Sequence, residues 1–76
     1  MKLYLGSYLS WYVPQRLSRL DIPLLAPISL MELLAQLKLP PAEISIAAVN
    51  GTMVPLEDTL VCDADMVEFH PPVGGG

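Results

Sequence analysis

The stretch Ser29-Leu30-Met31-Glu32-Leu33-Leu34-Ala35-Gln36-Leu37-Lys38 decides how the rest of the chain must be arranged. Leu30, Leu33, Leu34 and Leu37 recur at i, i+3, i+4 and i+7, which gathers them on one stripe of an α-helix. Ser29 and Glu32 form an S-x-x-E capping box, in which the hydroxyl and the carboxylate each satisfy a free amide of the first turn. Lys38 suits the negative end of the helix dipole, and Pro40-Pro41 stops the helix. One stripe of leucines cannot bury itself, so the flanking segments must supply an apolar surface to cover it.

Those segments read as strands. On the N-terminal side, residues 2–13 favour an extended form. Leu3, Leu5, Leu9, Trp11 and Val13 share one parity, and Ser7 interrupts the pattern, which ends the first strand near Gly6. Pro14-Gln15 reads as a turn. Residues 17–25 form a second run, with Leu20, Ile22 and Leu24 on one face and Arg19 and Asp21 on the other. Pro23 has no amide to donate, so this strand belongs at an edge. On the C-terminal side, residues 44–49 make a compact apolar strand. Asn50-Gly51 is a tight-turn signal because both residues tolerate positive φ. Residues 52–56 return from it, and residues 57–62 are less regular. Asp63-Ala64-Asp65 turns into a last strand, 66–70, with Val67 and Phe69 facing one way and Met66, Glu68 and His70 the other. Pro71-Pro72 prevents further pairing.

The order is strand, strand, helix, strand, short strand, strand, tail. The economical solution is an α+β fold with one mixed sheet clasping one helix. This is the β-grasp, or ubiquitin-like, arrangement, with four to five strands and the first and last parallel in the middle. Residues 1–70 form the domain, and residues 71–76 an extended, flexible tail ending in glycines.

Composition narrows the function. The chain has 76 residues, 53% of them hydrophobic and 16% charged, and its mean hydropathy is +0.48. That length allows one domain. The longest stretches without a charge, residues 3–15 and 44–56, are broken by Pro, Gly or Asn and are too short for a spanning helix of about 20 apolar residues. Lys2 and the apolar run after it mimic a signal peptide, but no small-x-small cleavage site follows before Arg16. The single cysteine, Cys62, cannot form an internal disulfide, which points to a reducing, cytoplasmic setting. All four basic residues lie before Pro40, and six of the eight acidic ones lie after it. An acidic C-terminal half argues against binding a phosphate backbone. It fits either a steered basic protein partner or a plain solubilising surface. The surplus of apolar residues suggests a face that a partner covers.

No catalytic set is visible. Cys62 precedes Asp63, and a neighbouring carboxylate raises a thiol's pKa instead of activating it. This predicts a packed or semi-exposed thiol. His70 has no second metal ligand at a usable spacing and reads as a surface or partner contact. Asp63 and Asp65 resemble a fragment of a calcium loop, but the rest of that pattern is missing and turn chemistry explains them better. The tail Val73-Gly74-Gly75-Gly76 is the most informative segment. It is either frayed chain or a side-chain-free strand that threads a narrow channel and brings a terminal carboxylate to another protein's active site. Pro71-Pro72 would stiffen its root.

Residues Ala48-Val49-Asn50-Gly51-Thr52-Met53-Val54, Asp63-Ala64-Asp65-Met66-Val67-Glu68-Phe69 and Pro71-Pro72-Val73-Gly74-Gly75-Gly76 resemble the MoaD/ThiS family of ubiquitin-like sulfur carriers, and most of all the small subunit of molybdopterin synthase. The resemblance implies that the Gly76 carboxylate is the reacting group. An adenylyltransferase of the MoeB/ThiF type, related to ubiquitin-activating enzymes, would join it to AMP from ATP, and a persulfide donor would convert it to a thiocarboxylate. As small subunit, the chain would insert its tail into a MoaE-type large subunit and give sulfur to a pterin precursor. Gly74 and Gly75 would stay small inside that channel, and ending at Gly76 removes the need for processing. Met53, Met66, His70, Pro71, Pro72 and Val73 would meet partners, and the surplus apolar surface would lie around Met53, Met66 and His70. The chain itself would bind no cofactor, metal, nucleic acid or membrane, and would bring no catalytic residues beyond the tail. Three positions depart from the pattern. Ala64 stands where the family commonly has Gly, implying another turn type or mild strain. His70 stands where synthase subunits often carry an aromatic ring. The short segment 39–43 is more like the thiamine-pathway carriers. Carriers for thiamine, tRNA thiolation or a tungsten-pterin cofactor, a protein modifier linked through Gly76, and a non-reactive interaction domain remain open.

Overall fold

The computed structural model describes residues 1–72. Its strands are β1 (Lys2–Leu5), β2 (Arg19–Asp21), β3 (Ile28–Ser29), β4 (Ile46–Val49), β5 (Thr52–Val54), β6 (Leu60–Val61) and β7 (Met66–His70), with one helix, α1 (Leu30–Leu37). Five of the strands form a mixed sheet in the order β2-β1-β7-β4-β5. β1 and β7 run parallel at its centre, and the other pairs are antiparallel. This is the expected β-grasp.

Register explains why the sheet has one apolar side. Leu3 pairs with Val67 and Leu5 with Phe69. Val67 pairs in turn with Val49, and Phe69 with Ala47. With a side-chain period of two, all of these point to the same face. They pack with Leu30, Leu33 and Leu34 of α1 in one core, joined by Leu9, Val13, Leu39 and Val61. Each fully buried Leu or Phe contributes about 1.5–3 kcal/mol relative to exposure.

The helix starts as its cap predicts, with Ser29 Oγ accepting from the Glu32 amide at 3.1 Å. Only this half of the capping box forms among the described residues. Ser29 also belongs to β3, which pairs with β6 in a second, two-stranded sheet, and the Leu30 amide donates to the Thr59 carbonyl. The helix ends before Pro40-Pro41 is reached. Lys38 adopts the left-handed conformation (φ 60°) and the Leu39 amide donates to the Leu34 carbonyl at 2.9 Å. This closes the last turn with buried Leu39 as its apolar contact.

Two of the expected strands also change. Residues 7–12 are a 3-10 turn instead of strand. Leu9 and Val13 reach the core while Trp11, of the same parity, is exposed. Residues four apart share both strand parity and a helical face, so the alternation was ambiguous. β2 is also shorter than the run that predicted it, although it does sit at the sheet edge, and Leu20, Ile22 and Leu24 do lean on the core. The Asn50-Gly51 turn forms as read, with φ of 52° and 84°. Ala64 stays outside the left-handed region and carries no strain of that kind. No helix among the described residues is long and apolar enough to cross a membrane.

Candidate functional site

The outward residues of β7 are Met66, Glu68 and His70, and the register continues their rows across the sheet. One row runs Arg19, Tyr4, Glu68, Ala48, Met53. Beside it lie Lys2 opposite Met66, and Ile46 opposite His70. Met53, Met66 and His70, singled out from the sequence, therefore share the uncovered face of the sheet. Met53 is 71% exposed and Met66 47%. Thioether side chains of this kind adapt to differently shaped partners.

Between the two methionines the face is polar and aromatic. The Arg19 guanidinium lies 5.6 Å from the Tyr4 ring centre, and the Tyr4 and His70 rings are 5.8 Å apart at a tilt of 54°. His70 Nε2 is 3.7 Å from Glu68 Oε1. A shallow trough on the β2 side is lined by Lys2, Tyr4, Arg19, Asp21, Met66 and Glu68. Tyr4, Arg19 and Ala48 were not picked out from the sequence. The outward parity of Lys2 and Tyr4, opposite Leu3 and Leu5, was the available signal for β1. Exposed apolar side chains are not confined to this face, because Trp11, Leu17, Leu25 and Leu60 are exposed elsewhere.

The root of the tail is held from both sides. The Gly6 amide donates to the Phe69 carbonyl at 2.9 Å, and the Ser45 amide to the His70 carbonyl at 2.8 Å. The His70 ring lies so close to Gly6 that a Cβ there would sit 2.5 Å from its Nδ1. Pro71 is buried and Pro72 exposed. Two residues after Gly6 and two before Ser45, the Tyr8 hydroxyl donates to Glu43 Oε2 at 2.6 Å. The Glu43 carboxylate holds the Tyr8 hydroxyl above its ordinary value of 10.0, and burial adds to the shift. Val73, Gly74, Gly75 and Gly76 lie outside the described residues.

At the opposite end of β7 the two aspartates serve the turn. Asp65 accepts from the Cys62 amide and from Asn50 Nδ2, while Asn50 Oδ1 accepts from the Met66 amide. The Cys62 bond, then the Asn50 bond, hold the Asp65 carboxyl below its ordinary 3.8. Asp63 accepts from the Leu24 amide at 2.8 Å and from the Met1 ammonium at 3.3 Å, and both lower it, the Leu24 bond more. Among the described residues no three His, Cys, Asp or Glu side chains gather as a metal site would require. Cys62 is an exposed free thiol.

What this arrangement offers chemically is a folded body with an open, methionine-flanked face and an end of β7 held by hydrogen bonds on both sides. The ThiS family model matches residues 13–76. A solved structure, the NMR solution structure of a thiamine biosynthesis protein from Geobacter metallireducens, is 29% identical. The alignment covers all of this chain and 88% of that one, with a TM-score of 0.56. No curated protein matches the chain.

Proposed function

The chain belongs to the ThiS family of ubiquitin-like sulfur carriers, and we propose that its own carrier group is the Gly76 carboxylate. The observation that carries this reading is the anchored root. β7 ends in the middle of the sheet, and the chain leaves it through buried Pro71 and exposed Pro72 toward three glycines. A carboxylate is a poor acyl electrophile. Attack of its oxygen on the α-phosphorus of ATP, in an adenylyltransferase of the MoeB/ThiF type, expels pyrophosphate and leaves an acyl adenylate. A persulfide's terminal sulfur then displaces AMP. A second thiol cleaves the resulting acyl disulfide, leaving the thiocarboxylate on Gly76 and a disulfide on the donor side. The protein body contributes recognition and presentation, with Met53, Met66 and His70 on the face that docks and Pro71, Pro72 and Val73 at the tail root. Binding energy from this remote face is what would hold the small reacting group in place.

For the acceptor we favour the pterin precursor of the molybdenum cofactor, with the chain as small subunit of a molybdopterin synthase and a MoaE-type large subunit as its partner. The ending Phe69-His70-Pro71-Pro72-Val73 supports it. The second reading, thiamine biosynthesis, is favoured by the Geobacter metallireducens structure. Incubation with ATP, a persulfide donor and an adenylyltransferase should raise the intact mass by one oxygen-to-sulfur exchange, and removal of Gly75-Gly76 should abolish the gain. An unchanged mass of the full chain with activators of both types would end the carrier reading. A stable complex with a synthase large subunit separates the two acceptors.

A further inference from the structure

We propose that Tyr8 and Glu43 are positioning residues whose hydrogen bond clasps the end of β7 and fixes the direction in which the reactive tail leaves the body. The inference rests on the sulfur-carrier reading only for its consequence, the delivery of Gly76. Its geometry stands by itself.

β7 lies between β1 and β4. Among the described residues, the last ladder bonds on its two sides are Gly6 to Phe69 and Ser45 to His70. Beyond them one flanking chain enters the 3-10 turn at Ser7–Tyr12 and the other comes from the one at Pro41–Glu43. The backbones on either side of β7 are two strand spacings apart, about 10 Å. The Tyr8 and Glu43 side chains close that gap, 35 residues apart in sequence, with a bond of 2.6 Å. That length is typical of a hydroxyl donating to a carboxylate. Pro71, the first residue past β7, is buried, which fits a chain that leaves the sheet beside this bridge. Tyr8 also packs against the core as a partly buried ring, and Glu43 is half-buried just before β4. A thread that must enter a narrow active site gains from leaving its root in one direction, because orientation fixed beforehand lowers the barrier to reaction.

The test uses the full chain with an adenylyltransferase, ATP and a persulfide donor, and reads thiocarboxylate formation as kcat and KM. Loss of the fixed direction should misplace the reacting group and lower kcat in Tyr8→Phe about fivefold or more, with KM within about twofold because the outer face is untouched. Glu43→Gln keeps an acceptor and should retain most of the rate. Glu43→Ala should match Tyr8→Phe, and the double variant should be no worse than either. Amide hydrogen exchange gives a readout without activity. Gly6 and Ser45 should exchange several-fold faster in Tyr8→Phe while core amides keep their protection. Unchanged exchange at Gly6 and Ser45, additive effects of the two variants, or a change in KM with kcat unaltered would each overturn the clasp. A wild-type chain that never gains sulfur would instead end the carrier reading, and the exchange experiment would still decide the clasp.

Discussion

Replacing Gly6 with alanine tests whether the His70 ring is seated on the backbone at the tail root. Gly6 has φ −76° and ψ 153°, an extended conformation open to any residue. The backbone therefore has no need for glycine here, and any cost must come from space. The Cβ of alanine would meet His70 Nδ1 at 2.5 Å, Cε1 at 3.2 Å and Cγ at 3.4 Å, and these are its three nearest atoms. Gly6 cannot retreat easily, because its amide is bonded to the Phe69 carbonyl. The ring must move, leaving Tyr4 on one side and Glu68 on the other. Overpacking costs about 1–3 kcal/mol in a closed core; the His70 side chain is 35% exposed, so the cost should fall at the lower end, about 1 kcal/mol, and each kcal/mol lowers Tm by about 4–8 °C in a domain of this size. With His70→Ala already in place the obstructing atoms are gone. Gly6→Ala should then be neutral or stabilising by about 0.4–1 kcal/mol, through the less flexible unfolded chain. Thermal unfolding of the four proteins in this cycle measures the coupling. An equal cost of Gly6→Ala in both backgrounds would refute the packing argument.

Three further outcomes are expected. Leu34→Ala removes a fully buried side chain from the centre of the helix stripe and should cost about 2–5 kcal/mol in denaturant unfolding. Met53→Glu changes a largely exposed residue, so stability should stay within about 0.5 kcal/mol, while titration calorimetry with an adenylyltransferase should show weakened or lost binding. The third concerns pH. The Asp63 and Asp65 carboxyls are held below their ordinary 3.8. Each therefore contributes stability that is fully present above 3.8 and is lost as pH falls through the lower folded-state value. Asp65→Asn should lower Tm at neutral pH and flatten the acid limb of a Tm-against-pH series, whereas parallel curves for the two proteins would show that the carboxylate's bonds matter little.

Elements whose local chemistry admits one answer were legible in the sequence. Ser29 with Glu32 marks a helix start, Asn50-Gly51 a tight hairpin, and the alternation Met66 to His70 a strand with one face in and one out. From these the sheet and its open face follow, and with them the shared position of Met53, Met66 and His70. Segments with two periodic readings were not legible. Leu9 and Val13 satisfy both a strand and a turn of helix, and only the packing of Tyr8 and Leu9 under the sheet end resolves them. Pro40-Pro41 is a visible stop signal, whereas a left-handed Lys38, which ends the helix, leaves no compositional mark. β3 and β6 are too short to show a period at all. At the site, Tyr4, Arg19 and the Tyr8–Glu43 bond depend on which strands are neighbours, and that is a property of topology. The sequence resemblance over residues 48–76 pointed to the family, and the family match extends it back to residue 13.

The central place of β7 also has a mechanical meaning. A partner that grips the glycine tail and tugs along it pulls β7 lengthwise between β1 and β4, each of which pairs with it over four residues. A load in that direction shears both ladders together, whereas a strand at the rim could be peeled away one bond at a time. Such a load would therefore not unravel the domain bond by bond from its C-terminal end.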